Sequence, residues 1–278
     1  MRGKIFIIVF SLLWSDLAFG QTVEETYRFA EKQYEQSNYE SALTEYQRVA
    51  FFDNSYQDVY LKIANSFYFL KDYEKALQLF DIAYTAEDSD SIRREIIFSK
   101  SMCYLESEQF LMALNELLTL PDVLSEYFYA KKNLYIAISY YGIGDYLNAS
   151  SFFQKILPNE AIKQVELIFY DFEKYRKRFN PDKVQLMSIL LPGLGQLYCG
   201  DFGSAANSVI LIGTIAIITA RIWNVFSLTD ALVSMSSWYY RYYNGGNKNA
   251  ERIAINKIEE KKEECFQNIL TVVENNIK

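Results

Sequence analysis

The stretch NYESALTEYQRVA at residues 38–50 is repeated without a gap as DYEKALQLFDIAY at residues 72–84. An aromatic residue stands second in each copy, an alanine fifth and a bulky ring ninth. The two alanines, Ala42 and Ala76, are 34 residues apart in the sequence. Self-similarity at a fixed period of this size is the signature of repeat architectures, in which each unit buries its apolar face against the next. The stretch therefore predicts stacked helical units.

Further copies of this pattern lie later in the chain. DYLNASSFFQKIL at residues 145–157 keeps all three positions, and QFLMALNELLTL at residues 109–120 is a weaker copy. Alanines also recur twelve residues before the alanine of each strong copy: Ala30, Ala64 and Ala137. Small residues at such positions allow two helices to cross closely. An irregular helical bundle that matches this spacing by chance is the alternative interpretation.

The repeated pattern resembles the tetratricopeptide repeat (TPR), a 34-residue helix–turn–helix unit. The resemblance covers about residues 23–160 and implies a superhelix that serves as a protein-binding scaffold. The chain departs from the family pattern because the spacing stretches to 37 and 36 residues around the third unit. A proline that often closes a unit is also missing, apart from Pro121 and Pro158.

Stacked repeats of this kind have a concave face lined by the first helix of each unit. Aromatic and amide groups on such a face suit an extended peptide or a helix of a protein partner. The alternative is that the same residues form the core between repeats. By register, the face carries Tyr27, Glu31, Tyr34, Leu61, Asn65, Tyr68, Phe98, Met102, Leu134, Ile138 and Tyr141.

Composition supports an all-α protein and narrows its chemistry. Half of the residues are apolar and 17% are aromatic, which excludes a disordered chain. Residues 21–160 contain 12 basic and 22 acidic residues, a balance that disfavours nucleic acid as a partner. The chain has no histidine, and its three cysteines are far apart. We expect no catalytic residue, no metal site, no cofactor and no small-molecule substrate, so the protein is predicted not to be an enzyme.

The N-terminus has the pattern of a secretory signal peptide. Arg2 and Lys4 precede an apolar run from Ile5 to Trp14, and small residues follow at Ala18 and Gly20. We predict a signal peptide at residues 1–20 that is cleaved after Gly20. An uncleaved anchor is the alternative, although the run is shorter than the roughly 20 residues that a spanning helix needs.

A basic segment separates the repeats from a long apolar region. Residues 161–183 begin as an amphipathic helix, predicted to cap the open end of the repeats. The segment ends in KYRKRFNPDK at residues 174–183, which suits an anionic lipid surface or an ordinary charged helix end. No charged residue then occurs from Val184 to Gly200, or from Phe202 to Ala220. The second of these stretches predicts a transmembrane helix, with a buried core helix as the alternative.

Pro192 interrupts the first apolar stretch, SILLPGLGQLYCGDFGSA at residues 188–205. Proline lacks an N–H, so the carbonyl of Ser188 loses its helical partner, and Gln196 is a candidate donor to it. Gly193 and Gly195 leave room for another helix. We predict that this kinked helix docks on a stripe of small residues in the next helix, Gly213, Ala216 and Ala220.

This stretch resembles the S-x-x-L-P-G-x-G-Q-x-Y-x-G signature of small membrane-hairpin domains found behind tetratricopeptide repeats in bacterial exported proteins. The resemblance covers about residues 183–257 and implies placement in a membrane rather than an activity. Asp201 stands where that family usually has a basic residue, which puts a lipid-headgroup contact at that turn in doubt. The residues that match the signature are Ser188, Pro192, Gly193, Gly195, Gln196, Tyr198 and Gly200.

Together these features predict an all-α chain, one part of which lies in water and another in a membrane. We expect repeats at residues 21–160, the cap and basic hinge at 161–183, a membrane hairpin at 184–245 and a charged helical tail at 246–278. Two spanning helices joined by a turn at residues 221–230 would return the tail to the side of the repeats. The predicted function is a membrane-tethered scaffold for protein partners in the bacterial envelope, with the repeats in the periplasm. The alternative is a structural subunit whose hairpin packs with other membrane proteins.

Overall fold

The computed structural model describes residues 22–53, 56, 58–121 and 124–276, so the predicted signal peptide lies outside the described residues. Within these ranges the chain is helical and contains no strand. It divides between Lys155 and Ile156 into two compact units. The helices are α1 Val23–Glu35, α2 Tyr39–Phe52, α3 Val59–Phe69, α4 Tyr73–Ala86, α5 Asp90–Glu106, α6 Phe110–Leu118, α7 Glu126–Ile143, α8 Tyr146–Gln154, α9 Asn159–Arg178, α10 Pro181–Leu190, α11 Leu194–Tyr198, α12 Phe202–Val225 and α13 Leu228–Asn276.

In the first unit, helices α1 to α8 form four successive pairs, and each helix packs against the next along the chain. The first helices of the last three pairs also contact one another, α3 with α5 and α5 with α7. Each pair crosses at two fully buried small residues twelve positions apart: Ala30 and Ala42, Ala64 and Ala76, Ser101 and Ala113, Ala137 and Ala149. A larger residue from the second helix of each pair is also fully buried: Tyr46, Phe80, Leu117 and Phe153.

Ser101 takes the place of an alanine in the third pair. Its hydroxyl is fully buried and donates a hydrogen bond of 2.8 Å to the carbonyl oxygen of Ile97, one turn earlier in the same helix. This local bond satisfies the hydroxyl without a partner from another helix, which is how a small polar residue substitutes for alanine in a core.

The same turn joins the two helices of every pair. One residue has a positive φ, and it is followed by the N-cap residue of the second helix. The N–H of that following residue donates to a carbonyl five positions back, as Asp72 does to Phe67, which is the Schellman way of ending a helix. The positive-φ residues are Ser37 (61°), Lys71 (62°), Glu108 (57°) and Gly144 (90°).

The second unit is organised along α13, a helix of 49 residues and therefore about 74 Å in length. Helix α12 packs beside it, and α9, α10 and α11 also contact it. A buried apolar cluster joins the α9–α10 turn, α10 and α11 to the middle of α13; its members are Phe179, Val184, Cys199, Ala250 and Ala254. Helix α9, which the sequence predicted as a cap for the repeats, packs on α13 inside this unit.

Helix α13 runs without a break through Gly245 and Gly246, where the sequence predicted the hairpin to end. The charged tail is therefore part of the same helix as residues 228–245. A glycine inside a helix costs roughly 1 kcal/mol relative to alanine. The glycine allows α13 to pack closely on α12, since a Cβ on Gly246 would lie 3.3 Å from the Oγ of Ser208. This close packing offsets the cost.

Candidate functional sites

A buried hydrogen-bond network joins the two sides of Pro192. Helix α10 ends at Leu190, and Leu191 is extended with φ −142°, so the chain leaves the helix before the proline. The hydroxyl of Ser188 donates 2.8 Å to Oε1 of Gln196 and accepts 3.0 Å from the N–H of Gly195. Both Ser188 and Gln196 are fully buried. The network fixes the short helix α11 against the end of α10.

The amide nitrogen of Gln196 reaches the two long helices. Nε2 donates 3.1 Å to the Oγ of Ser208 on α12 and 2.8 Å to the carbonyl oxygen of Gly246 on α13. We predicted that this side chain would donate to the carbonyl of Ser188, and that prediction is wrong because α10 ends before Pro192. Gln196 instead connects all four helices of this junction, with both of its amide atoms satisfied.

The glycines of the motif allow close backbone contact. Gly193 has φ 89°, and a Cβ there would stand 2.7 Å from the carbonyl oxygen of Ala205 on α12. A Cβ on Gly195 would overlap the carbonyl oxygen of Val184. The motif thus packs on α12 at Ala205. The predicted docking on Gly213, Ala216 and Ala220 is wrong, because these three residues are exposed and nothing lies within 4 Å of a Cβ on Gly213.

The end of the motif repeats the turn of the first unit. Gly200 has φ 82°, and the carboxylate of Asp201 accepts 2.9 Å from the N–H of Ser204 in the first turn of α12. Asp72 and Asp145 cap α4 and α8 in the same way, through the N–H groups of Lys75 and Asn148. Asp201 is therefore an N-cap residue, which explains an acidic side chain at this position.

Two tyrosines add hydrogen bonds around the motif. The hydroxyl of Tyr198 donates 3.1 Å to the carbonyl oxygen of Arg178 at the end of α9. The hydroxyl of Tyr243 on α13 donates to the carbonyl oxygen of Ile189, one of the carbonyls left free where α10 ends. Sequence analysis missed the roles of Ser208 and Tyr243; a serine among the few polar residues of an apolar helix was the available signal for the first.

Beyond this junction, α12 and the first part of α13 form an arm with an apolar surface, which we call the apolar arm (residues 202–245). Helix α12 is the one described helix that is long and apolar enough to cross a membrane. Ala216 and Ala220 line an open groove of about 720 Å³ between α12 and α13. Large apolar side chains of the arm are exposed: Phe202, Val209, Ile210, Ile217, Ile218, Trp223, Val225, Phe226, Leu228, Leu232, Val233, Trp238, Tyr239 and Tyr240.

The predicted groove residues of the first unit fall into two groups. Phe98 and Tyr141 are buried, with 1% and 3% exposure, so they belong to the core and the prediction of a groove position is wrong for both. The remainder are partly exposed on the first helices of the pairs: Tyr27, Glu31, Tyr34, Leu61, Asn65, Tyr68, Met102, Leu134 and Ile138.

The tyrosines of this surface also take part in packing. Tyr34 lies 5.4 Å from the ring of Tyr39 and 5.9 Å from that of Phe69. Burial, with a contribution from Tyr39, raises the pKa of Tyr34 to about 12. Burial and the carboxylate of Glu106 raise the pKa of Tyr68 to about 12 as well. Both phenols are therefore neutral at any physiological pH.

Ion pairs tie successive first helices together on this surface. Nζ of Lys62 on α3 lies 3.1 Å from a carboxylate oxygen of Glu31 on α1. Lys131 on α7 pairs in the same manner with Glu95 on α5 and also lies 4.6 Å from the ring centre of Phe98. The hydroxyl of Tyr27 donates a hydrogen bond to a carboxylate oxygen of Asp58. Asn65 is a partly exposed polar side chain on the same surface that takes no part in these pairs.

No cluster of three or more side chains able to hold a metal ion occurs in the described ranges, where Cys103, Cys199 and Cys265 are buried and form no disulfide. No protein-family model matches the sequence, and comparison with curated proteins finds no match.

Proposed function

We propose that the protein is a membrane-anchored helical-repeat scaffold without enzymatic activity, which holds protein partners at a membrane of the bacterial cell envelope. The observation that carries this proposal is the exposed apolar arm. Soluble monomers rarely expose contiguous apolar patches larger than a few hundred Å². A lipid bilayer would cover the arm on all sides.

The dimensions of α12 support insertion. Its 24 residues correspond to a length of about 36 Å, which exceeds a hydrocarbon core of about 30 Å. The charged residues nearest to its apolar centre are Asp201 before its start and Arg221 near its end. Trp223 follows Arg221, and both residue types are common at the boundary between lipid and water.

The first part of α13 is suited to lie beside α12 in the bilayer. Between Asp230 and Arg241 it carries no charge. At the tip of the arm, the carboxylate of Asp230 accepts a hydrogen bond of 2.6 Å from the hydroxyl of Ser227. A long arginine side chain such as that of Arg241 can extend toward the lipid headgroups. The Gln196 network at the opposite end keeps the arm attached to a folded base.

The scaffold part of the proposal rests on the first unit. Four helical pairs with the same small crossing residues and the same turn are what a tetratricopeptide-like stack requires. Its first helices present Asn65, Met102 and Ile138 as partly exposed side chains. Such a surface suits an extended peptide or an amphipathic helix of a partner. The N-terminal signal-like segment supports export of this unit to the periplasm.

Two measurements test the two halves of this proposal. Membranes from cells that express the full chain are extracted with alkaline carbonate; we expect the protein to remain in the pellet, and complete release would refute the anchor. A photo-crosslinking amino acid at Met102 in intact cells is expected to capture a partner protein. The same probe at Gln78, exposed on a second helix, is the control; equal capture from both positions would refute the groove.

A second function is supported by the exposed stripe on α12. Gly213, Ala216 and Ala220 are small, exposed residues on the apolar arm, and helices in membranes approach one another at small residues. The protein would then be a structural subunit whose arm packs with other membrane proteins. Replacement of Gly213 and Ala216 by leucine would abolish that function while groove variants at Asn65 and Tyr68 would retain it; the opposite result favours the scaffold.

A further inference from the structure

We propose that the base of the apolar arm binds the phosphate headgroup of an anionic phospholipid between Arg178, Lys183 and Lys257. These three cations come from the end of α9, the start of α10 and the middle of α13. They gather around two aromatic rings, Phe179 and Tyr198, whose centres are 5.7 Å apart. This inference deepens the proposed function and rests on it.

Each of the three cations lies against one of these rings. Arg178 and Lys257 lie 5.1 and 5.6 Å from the centre of the Phe179 ring. Lys183 lies 5.1 Å from the centre of the Tyr198 ring. Attraction between a cation and a ring face is worth about 0.5–1 kcal/mol at an exposed site, which helps to hold each side chain in place.

No carboxylate among the described side chains forms an ion pair with any of these three cations. Arg176, two residues before Arg178, is paired with Glu173 at 2.9 Å. The neighbouring acids face other partners, because Asp201 caps α12 and Glu251 accepts 2.8 Å from the amide of Gln185. Asp182 is exposed in the first turn of α10. A bound anion would supply the counter-charge that no described carboxylate gives these three cations.

The position of the cluster indicates that this anion belongs to a lipid. Lys183, Leu186 and Leu190 are three and four residues apart, so they lie on one face of α10. The face changes from charged to apolar over seven residues, or about 10 Å. Leu186 is 56% exposed and Leu190 is 77% exposed, and Phe202 at the start of the apolar arm is 71% exposed. The phosphate of a lipid headgroup matches the charged end of this face, and its acyl chains match the apolar end.

The test uses the full chain reconstituted into vesicles of neutral lipid alone or of neutral lipid with phosphatidylglycerol. Lipids that remain bound are identified after gentle extraction by native mass spectrometry. The variant carries Arg178→Gln, Lys183→Gln and Lys257→Gln. A control variant with the same change in charge carries Lys32→Gln, Lys71→Gln and Lys163→Gln, which are exposed residues outside the cluster.

We expect wild type and the control to retain phosphatidylglycerol in preference to the neutral lipid. Because each basic residue near a membrane surface contributes about 1 kcal/mol, the cluster variant should lose this preference by roughly tenfold or more. Helical content by circular dichroism must remain that of wild type, which is expected because the side chains of Arg178 and Lys183 are exposed.

The outcomes separate this inference from the proposed function. Insertion into both vesicle types with equal lipid retention by wild type and the cluster variant would overturn the headgroup site and leave the anchor intact. Failure of wild type to insert into either vesicle would overturn the anchor itself. Competition by soluble glycerol phosphate as effective as that by the lipid would identify a site for a free anion and would also overturn the proposal.

Discussion

Ser188 and Gln196 stand on opposite sides of Pro192 and share a fully buried hydrogen bond of 2.8 Å. The bond belongs to a network that also includes Ser208 and the carbonyl of Gly246. A buried polar network is stable only when its members are satisfied, and here the one glutamine amide connects four helices. The network therefore sets where the apolar arm begins.

Replacement of Gln196 by leucine tests this role. The variant leaves the hydroxyls of Ser188 and Ser208 and the carbonyl of Gly246 without their buried partner. We expect a loss of about 3 kcal/mol in the free energy of unfolding, measured by thermal unfolding in mild detergent. The control Gln185→Leu removes a partly exposed amide at the same junction and should cost much less; equal effects would contradict the assigned role.

Two glycines of the second unit should respond in opposite directions to alanine. Gly195→Ala is expected to destabilise by about 2–4 kcal/mol, because its Cβ overlaps the carbonyl oxygen of Val184. Gly213→Ala meets no atom within 4 Å and should raise helix stability by up to about 1 kcal/mol. The melting temperature should fall in Gly195→Ala and rise in Gly213→Ala relative to wild type. A fall in Gly213→Ala would contradict this prediction, because it would show a close contact at that residue.

The turns of the first unit contain removable strain. Lys71 has φ 62°, a conformation that costs a residue with a Cβ about 1 kcal/mol relative to glycine. Lys71→Gly should therefore stabilise the first unit by about 0.5–1 kcal/mol. Gly144 has φ 90° in the equivalent turn, so Gly144→Ala should destabilise by a similar amount. Chemical denaturation measures the free energy of unfolding of both variants. A loss of stability in Lys71→Gly would contradict the shared turn geometry.

Burial of Tyr34 and Tyr68 makes stability depend on alkaline pH. The folded-state pKa of each is raised to about 12, above the usual value of 10.0. The contribution of the two neutral phenols to the stability of the fold is thus complete below pH 10 and is lost as the pH rises toward 12. Ionisation of each phenol should lower the free energy of unfolding by at most about 1 kcal/mol at pH 11. The double variant Tyr34→Phe, Tyr68→Phe should lose less stability than wild type between pH 9 and 11, measured by denaturant titration; an identical loss would contradict the burial of the phenols.

The sequence predicted the helical pairs because their positions repeat. Ala42 and Ala76 mark helix crossings directly, and their burial follows from size alone. Ser101 was harder to recognise because its hydroxyl is satisfied within its own helix. Phe98 and Tyr141 follow the register of the first helices, yet they point into the core. Register identifies the helix on which a residue lies, whereas the rotation of that helix about its axis depends on contacts with neighbouring pairs.

The junction of the second unit was less predictable. Gln196 was recognisable as a polar residue in an apolar stretch that needed a partner. Its acceptor at Gly246 is fifty residues away, and no local pattern indicates such a contact. The docking of Gly193 near Ala205 depends on the positive φ of that glycine and on the end of α10 before Pro192. Both are consequences of tertiary packing that spacing alone does not determine.

Tryptophan fluorescence tests the central claim, the burial of the apolar arm in lipid, most directly. The chain has three tryptophans, so after Trp14→Phe all emission comes from Trp223 and Trp238 on the arm. The full chain is reconstituted into vesicles whose acyl chains carry bromine. Our account predicts strong quenching by the brominated chains and weaker quenching by iodide in the water; efficient quenching by iodide with none by the brominated chains would contradict it.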